Sequence, residues 1–171
     1  NPFMSDSSLI QDSEAGGWWR FRDARDVVVA TRIEEVLPAL QNVERRVERE
    51  HLWAAGFIAY EAGPAFDVAI RARPPGSLPL LWMSLYPEPR LVQFPGRPAE
   101  AEAPRYAWKS SVERNEYDRA IARIRELIAA GDAYQVNYTL RLHAPATEEP
   151  RALFQRMVAA NRPLHAAYLD C

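Results

Sequence analysis

Apolar residues recur along this chain at spacings that predict short strands mixed irregularly with helices. Asp26–Thr31 is rich in β-branched residues and predicts a buried strand. Trp53–Tyr60 and Leu80–Tyr86 are apolar on both faces, as expected for interior strands of a covered sheet. A last apolar strand is predicted to begin at Ala166–Leu169. Because helices and strands do not alternate strictly, the pattern favours an α+β fold over a doubly wound sheet.

The first predicted helix follows Asp26–Thr31 directly. Thr31 and Glu34 have the spacing of a capping box, in which each side chain bonds a backbone N–H near the other. Pro38 lies inside the pattern, so we expect either a kink there or a later helix start. The apolar positions at helical intervals are Val36, Leu40, Val43 and Val47.

The clearest helical pattern follows a proline-rich segment, Phe94–Pro104, which we expect to be an exposed linker or long loop. Ser110 and Glu113 have capping-box spacing at its start, and Gly131 stands where a C′ glycine ends a helix. Its apolar stripe consists of Tyr117, Ile121, Ile124, Leu127 and Ile128. A third helix is predicted around Pro150–Ala160.

The segment GDAYQVNYTLRL, residues 131–142, alternates apolar with polar side chains directly after that helix. The alternation predicts a strand with one apolar face and one hydrogen-bonding face. The apolar row is Tyr134, Val136, Tyr138, Leu140 and Leu142, and the polar row is Gln135, Asn137, Thr139 and Arg141. In a covered sheet we expect the polar row to bond buried partners rather than water.

Composition and motif content exclude several classes of function. The 171 residues are 48% hydrophobic and 26% charged, typical of a soluble globular protein, and a net charge of −2 argues against nucleic acid or an anionic membrane as partner. No apolar run is long enough to span a membrane, and the first residues do not have the pattern of a signal peptide. One cysteine, Cys171, permits no internal disulfide, which fits a cytoplasmic location. His51, His143 and His165 lack metal-ligand spacing, and phosphate-binding loops and nucleophile elbows are absent.

An aromatic group near the N terminus, Trp18, Trp19 and Phe21, alternates with Arg20 and Arg22. Such side chains can stack on a nucleic-acid base, but the slightly acidic chain has no basic stripe to accompany them. Packing against a sheet is the simpler interpretation. A small-molecule pocket with an apolar floor and an arginine is the alternative.

The run EYDRAIARIRELIAAGDAYQVNYTLRL, residues 116–142, resembles the chorismate-utilising enzymes, the family of aminodeoxychorismate synthase component I and anthranilate synthase component I. The matching positions are Gly131, Asp132, Tyr134, Gln135, Val136, Asn137, Thr139 and Arg141, while Tyr138 replaces a leucine. Three further blocks resemble the family in the same order: residues 9–13 (LIQDS), 56–67 (GFIAYEAGPAFD) and 161–168 (NRPLHAAY). In the last block, Leu164 and His165 depart from the family's proline and aromatic residue.

The resemblance implies the N-terminal part of the family's layered α/β sandwich, as a single incomplete domain over residues 1–171. An N-terminal region would span about 1–104, and the start of the chorismate-binding region about 105–171. The catalytic C-terminal half would be absent, so no catalytic residue and no metal ligand is assigned here. Mg²⁺ is expected only in the full-length enzyme.

Residues 56–67 are best matched in the para-aminobenzoate branch of the family. The resemblance therefore implies amination of chorismate to 4-amino-4-deoxychorismate, on the path to folate, with ammonia from a glutamine amidotransferase partner. This piece is expected to be inactive alone. Within the family, anthranilate synthase component I or an isochorismate or salicylate synthase is the alternative. A non-catalytic tryptophan-binding regulatory module is the alternative of another class.

The resemblance also implies a tryptophan pocket, because relatives hold tryptophan between the blocks that match residues 9–13, 18–21 and 161–168. A hydroxyl and an arginine would meet the polar end of the amino acid, and aromatic rings would cover its indole. The matching positions are Ser13, Trp18, Arg20, Phe21, Leu164, His165 and Ala166. In the competing interpretation, Trp18 fills the cavity itself.

Overall fold

The computed structural model describes residues 7–94 and 106–171, so the predicted linker lies outside the described residues except for Phe94. The strands are β1 (Ser7–Asp12), β2 (Gly17–Arg22), β3 (Asp26–Ala30), β4 (Trp53–Ile58), β5 (Leu81–Tyr86), β6 (Arg90–Val92), β7 (Lys109–Ser110), β8 (Leu142–His143) and β9 (Ala167–Tyr168). The helices are α1 (Ile33–Glu50), α2 (Arg114–Ala130) and α3 (Pro150–Asn161), and a 3₁₀ segment covers Tyr60–Ala65. The described residues form two compact units, one from residues 7–94 and 154–171 and the other from residues 106–153.

Two antiparallel sheets lie face to face in the first unit. The four-stranded sheet has the order β6-β2-β1-β9, and the three-stranded sheet has the order β3-β5-β4. Between them Phe21 and Tyr86 have ring centroids 5.4 Å apart, in one buried cluster with Ala24 and Ala55. α1 covers the opposite face of the three-stranded sheet, with the buried core Ala30, Val36, Ala62, Leu80 and Leu81. The predicted α+β class is therefore confirmed, with helix and sheet in successive layers.

The start of α1 differs from the predicted capping box by one residue. The carboxylate of Glu35, not Glu34, accepts the backbone N–H groups of Thr31 and Arg32, at 3.0 and 3.1 Å. The helix begins at Ile33 and runs through Pro38, so the later start predicted from that proline is wrong. The bonds to Glu35 satisfy N–H groups that a helix start leaves without partners, and this stabilises the turn before the proline.

An ion-pair network joins α1 to the first strand of the three-stranded sheet. The guanidinium of Arg46 donates to Asp26 at 2.5 Å and to Glu50 at 2.8 Å. The hydrogen bond from Arg46, followed by that from the backbone N–H of Val27, holds the pKa of Asp26 below its ordinary value. Because the folded pKa lies below the unfolded one, the network stabilises the fold above the unfolded pKa, near 4, and this contribution is lost as pH falls through the folded pKa.

We expect Asp26→Asn to reduce the loss of unfolding free energy that occurs as the pH falls below about 5. At pH 7 the substitution is expected to cost about 1 kcal/mol or less, because the Asp26 side chain is 45% exposed and its ion pair is screened by solvent. Between pH 5 and about 2 the unfolding free energy should fall less in the variant than in the parent chain. Urea unfolding at about pH 5 and at about pH 2 measures this. Asp170→Asn, at an exposed aspartate, is the control. Parallel declines in Asp26→Asn and the parent would contradict the assignment.

The second unit contains α2, whose end follows the sequence pattern more closely than its start. Gly131 adopts φ 83°, and Asp132 donates to the Leu127 carbonyl at 3.0 Å, so the predicted C′ glycine is confirmed. The helix begins at Arg114, with no side-chain cap from Glu113, and the Ser110 hydroxyl instead bonds the backbone of Val112. The capping box predicted from Ser110 and Glu113 is therefore wrong.

The segment that alternates apolar and polar residues after Gly131 forms much less strand than predicted. Among the described residues, strand pairing is limited to Leu142–His143 with the short strand Lys109–Ser110, extended by a bond from the backbone N–H of Ser111 to the Arg141 carbonyl at 2.8 Å. Tyr134 is 95% exposed, and all members of the polar row are exposed as well. An extended segment needs adjacent strands to bond its backbone N–H and C=O groups. Within the described residues that neighbour exists at one end alone, so the expected buried partners of the polar row are not found here.

Candidate ligand-binding site

Strand register decides which of the predicted pocket residues share a surface. In β2 the side chains of Trp18 and Arg20 point to one face of the four-stranded sheet, whereas Phe21 points to the other. Phe21 is 5% exposed and belongs to the core between the two sheets. The structure therefore divides the seven predicted residues rather than bringing them to one surface.

The face that carries Trp18 is covered by aromatic rings from distant parts of the chain. The Trp18 ring lies 5.0 Å from Phe94 and 5.7 Å from Phe154, measured between centroids. Tyr168 of β9 extends this group, 5.5 Å from Phe154. Trp18 is 5% exposed, so its own indole occupies the space between these rings. This packing agrees with the interpretation in which Trp18 fills the cavity.

Gln11 lies beside Trp18 in the neighbouring strand, and the sequence analysis did not select it. The two residues are register partners, and the Oε1 atom of Gln11 is buried without a hydrogen-bond partner among the described residues. A buried amide oxygen without a donor is uncommon, and it is the type of group that a ligand can satisfy. The sequence signal that could have identified Gln11 is its position within LIQDS, one of the blocks that resemble the family.

The turn after β1 contains Ser13, which is exposed and pairs with none of the other predicted residues. Its neighbour Asp12 is the bonded residue: its carboxylate accepts Trp19 Nε1–H at 2.8 Å and the backbone N–H groups of Glu14 and Ala15. The bond from the Ala15 backbone, followed by that from the Trp19 indole, lowers the pKa of Asp12. Asp12 therefore holds the β1–β2 turn and the orientation of Trp19.

The last three predicted residues lie in the loop between α3 and β9. Leu164 is 74% exposed, and His165 is exposed as well. Ala166 is half-buried, and its carbonyl accepts the backbone N–H of Gln11 at 2.9 Å. That bond brings the loop to the edge of β1, near Trp18 and Gln11. The tryptophan pocket stays a prediction. Its centre would be residues 164–166 with Trp18 and Arg20, and Phe21 would lie outside it.

Other parts of the described chain offer no catalytic arrangement. The second unit has an open cleft of about 600 Å³ at the start of α2, lined by Lys109, Ser110, Val112, Glu113, Arg114, Tyr117 and Leu140. The hydrogen-bonded ion pair with Asp118 raises the pKa of Arg114, which lines that cleft. In residues 7–94 and 106–171, no group of three or more His, Cys, Asp or Glu side chains could hold a metal ion. No helix of this part of the chain is long and apolar enough to cross a membrane.

Comparison with known proteins gives a match over nearly the whole chain. The sequence model of one family, described as chorismate binding enzyme, matches residues 7–171. Anthranilate synthase component 1 of Thermus thermophilus is 36% identical over 77 residues, which cover 45% of this chain and 17% of that protein. The same enzyme of Streptomyces coelicolor is 27% identical over 157 residues, with coverages of 65% and 31%. Aminodeoxychorismate synthase component 1 of Escherichia coli is 32% identical over 62 residues, with coverages of 36% and 14%.

These matches span less than a third of the length of each of the three relatives. No solved structure matches the chain significantly.

Proposed function

Because the chain belongs to the family of chorismate binding enzymes, we propose that it is part of the chorismate-aminating subunit of an aminodeoxychorismate synthase. The observation that carries this proposal is the family match over residues 7–171, together with the GDAYQVNYTLRL segment inside it. The choice of branch rests on GFIAYEAGPAFD, residues 56–67, which resembles the para-aminobenzoate branch. Anthranilate formation is the rival, since relatives of that name are 36% and 27% identical.

The proposed reaction exchanges one substituent of chorismate. Ammonia forms a C–N bond at C4, the C4 hydroxyl leaves with breakage of its C–O bond, and water and 4-amino-4-deoxychorismate result. In the complete enzyme a glutamine amidotransferase would supply the ammonia, as part of the same proposal. The product would serve para-aminobenzoate and folate synthesis.

This chain's share of that enzyme would be structural. In the second unit, four of the five members of the apolar row that follows Gly131 are exposed: Tyr134 is 95% exposed, and Val136, Leu140 and Leu142 are 41%, 39% and 56% exposed. Burial of such a row would stabilise the folded enzyme by the removal of apolar surface from water. The relatives are at least three times longer than the parts matched here, so we propose that this row packs against further residues of the complete enzyme.

Mg²⁺ is proposed as the cofactor of the complete enzyme. The described residues do not fit as its ligands, because they contain no group of three or more carboxylate, histidine or cysteine side chains around one point. Metal ions of this type need several oxygen ligands at short distance. We therefore assign no residue of this chain to the metal and no step of the reaction to it.

Product analysis tests the proposal. The complete protein that contains this chain is incubated with chorismate, Mg²⁺ and ammonium, and the products are separated by liquid chromatography and identified by mass. Accumulation of 4-amino-4-deoxychorismate, converted to para-aminobenzoate by an added lyase, is the expected result. Anthranilate, or an isomer with the mass of chorismate but another retention time, would favour the rivals. Glutamine should replace ammonium only when an amidotransferase partner is added.

A further inference from the structure

One end of the four-stranded sheet presents three arginine side chains together. Arg20 of β2 and Arg90 of β6 are register partners, directly opposite each other in neighbouring strands. Arg22 lies two residues beyond Arg20, so it points to the same face. These three residues, which we call the arginine cluster, line a cleft of about 360 Å³ with Asp23, Pro87 and Glu88.

No close ion pair is formed by the arginine cluster within the described residues, although the carboxylates of Asp23 and Glu88 line the same cleft. Arg20, Arg22 and Arg90 form no ion pair there, and neither Glu88 nor Asp23 lies within ion-pair distance of them. Like charges directly opposite each other on neighbouring strands destabilise a sheet. An anion between the guanidinium groups would remove that repulsion and add charge-assisted hydrogen bonds.

The β5–β6 loop restricts one wall of the cleft, and the volume of the cleft limits the size of the anion. Pro87 and Pro89 flank Glu88 between β5 and β6, and each proline fixes its own φ. A volume of about 360 Å³ lies at the small end of the range for small-molecule sites. The carboxylates of Asp23 and Glu88 at the same cleft would repel a long polyanion such as nucleic acid or an acidic peptide. A small anion that contacts the guanidinium groups avoids most of that repulsion.

From the register, the cleft and the lack of close ion pairs among the described residues, we infer that the arginine cluster is a binding site for a small oxyanion, a molecule with a phosphate or carboxylate group. The guanidinium group presents its N–H donors in a planar fork that matches both of these groups. The site overlaps the predicted tryptophan pocket at Arg20 alone. None of its residues is assigned to the proposed reaction with chorismate.

Calorimetric titration at low, constant ionic strength tests this inference with two probes, inorganic phosphate and malonate. Saturable binding of at least one probe is expected, and which one binds more tightly distinguishes a phosphate from a carboxylate ligand. The double variant Arg22→Gln/Arg90→Gln should weaken that binding by about tenfold or more, since two charge-assisted bonds are lost. Arg49→Gln, an exposed arginine at the end of α1, is the matched control and should leave the Kd unchanged.

A second measurement guards against a variant that fails to fold. Because Arg90 repels Arg20 across the strands, Arg90→Gln should raise the thermal midpoint in buffer without either probe. Phosphate or malonate should then raise the midpoint of the parent chain more than that of the double variant. Equal binding by parent and double variant, or no saturable binding to the parent, would overturn the inference. Binding of poly-glutamate in the absence of binding to both small probes would also overturn it.

Discussion

Replacement of Gly56 with alanine is expected to cost about 3 kcal/mol or more of unfolding free energy, a large fraction of the stability of a typical domain. Gly56 lies in β4, opposite Met83 of β5. A Cβ atom there would overlap the carbonyl oxygen of Trp82 and lie 2.8 Å from the Cα atom of Met83. These are backbone atoms of the central strand, so they cannot move aside without breaking the β4–β5 ladder.

Gly76→Ala is the matched control, because a Cβ atom at Gly76 meets nothing within 4 Å. Its effect should stay within about 0.5 kcal/mol, as for ordinary surface substitutions. Urea unfolding followed by circular dichroism gives both values, and the m-value shows whether the native state stays compact. Equal stability of the two variants would show that β4 does not approach β5 as described.

Replacement of Phe21 with alanine is expected to have the second large effect, about 3–5 kcal/mol. Phe21 is 5% exposed, and its ring lies 5.4 Å from that of Tyr86, between the two sheets. The resemblance assigned Phe21 to a tryptophan pocket, but its position predicts a loss of stability instead. Phe66→Ala removes the same atoms from a side chain that is 51% exposed, and should cost about 1 kcal/mol.

Tryptophan titration of the same two variants separates the two roles of Phe21. If Phe21 acts only as core, any tryptophan affinity of the parent chain should persist in Phe21→Ala wherever that variant is folded, for example at low temperature. A folded Phe21→Ala variant of nearly parental stability that has lost tryptophan binding would place Phe21 in a pocket. Tight, specific binding by the parent chain would in addition favour the regulatory-module alternative.

Local patterns in the sequence predicted three strands of the core, although β4 lies at the edge of its sheet within the described residues and not in the interior as expected. The β-branched and apolar runs became β3, β4 and β5, and the glycine at the end of α2 lies in the left-handed region as expected. These features depend on residues close together in the chain, so periodicity and side-chain type are sufficient to find them. Helix starts were less predictable: Glu35, not its acidic neighbour Glu34, accepts the N–H groups before α1, and Ser110 bonds the backbone of Val112 before α2.

The candidate site and the segment after Gly131 depend on long-range pairing that local patterns do not contain. The rings around Trp18 come from Phe94, Phe154 and Tyr168. Tyr168 lies 150 residues after Trp18 in the chain. The face to which Phe21 points follows from the register of β1, β2 and β6. An alternating segment becomes a strand only beside another strand, so its pattern alone did not determine its conformation.

The most direct test of the account measures turnover by the 171-residue chain alone and by the complete protein that contains it. Each is incubated with chorismate, Mg²⁺ and ammonium, and 4-amino-4-deoxychorismate is quantified by mass spectrometry over time. The account predicts product from the complete protein and none from the chain alone, whose described residues contain no metal-binding cluster. Appreciable product from the chain alone, or no amination by the complete protein, would contradict it.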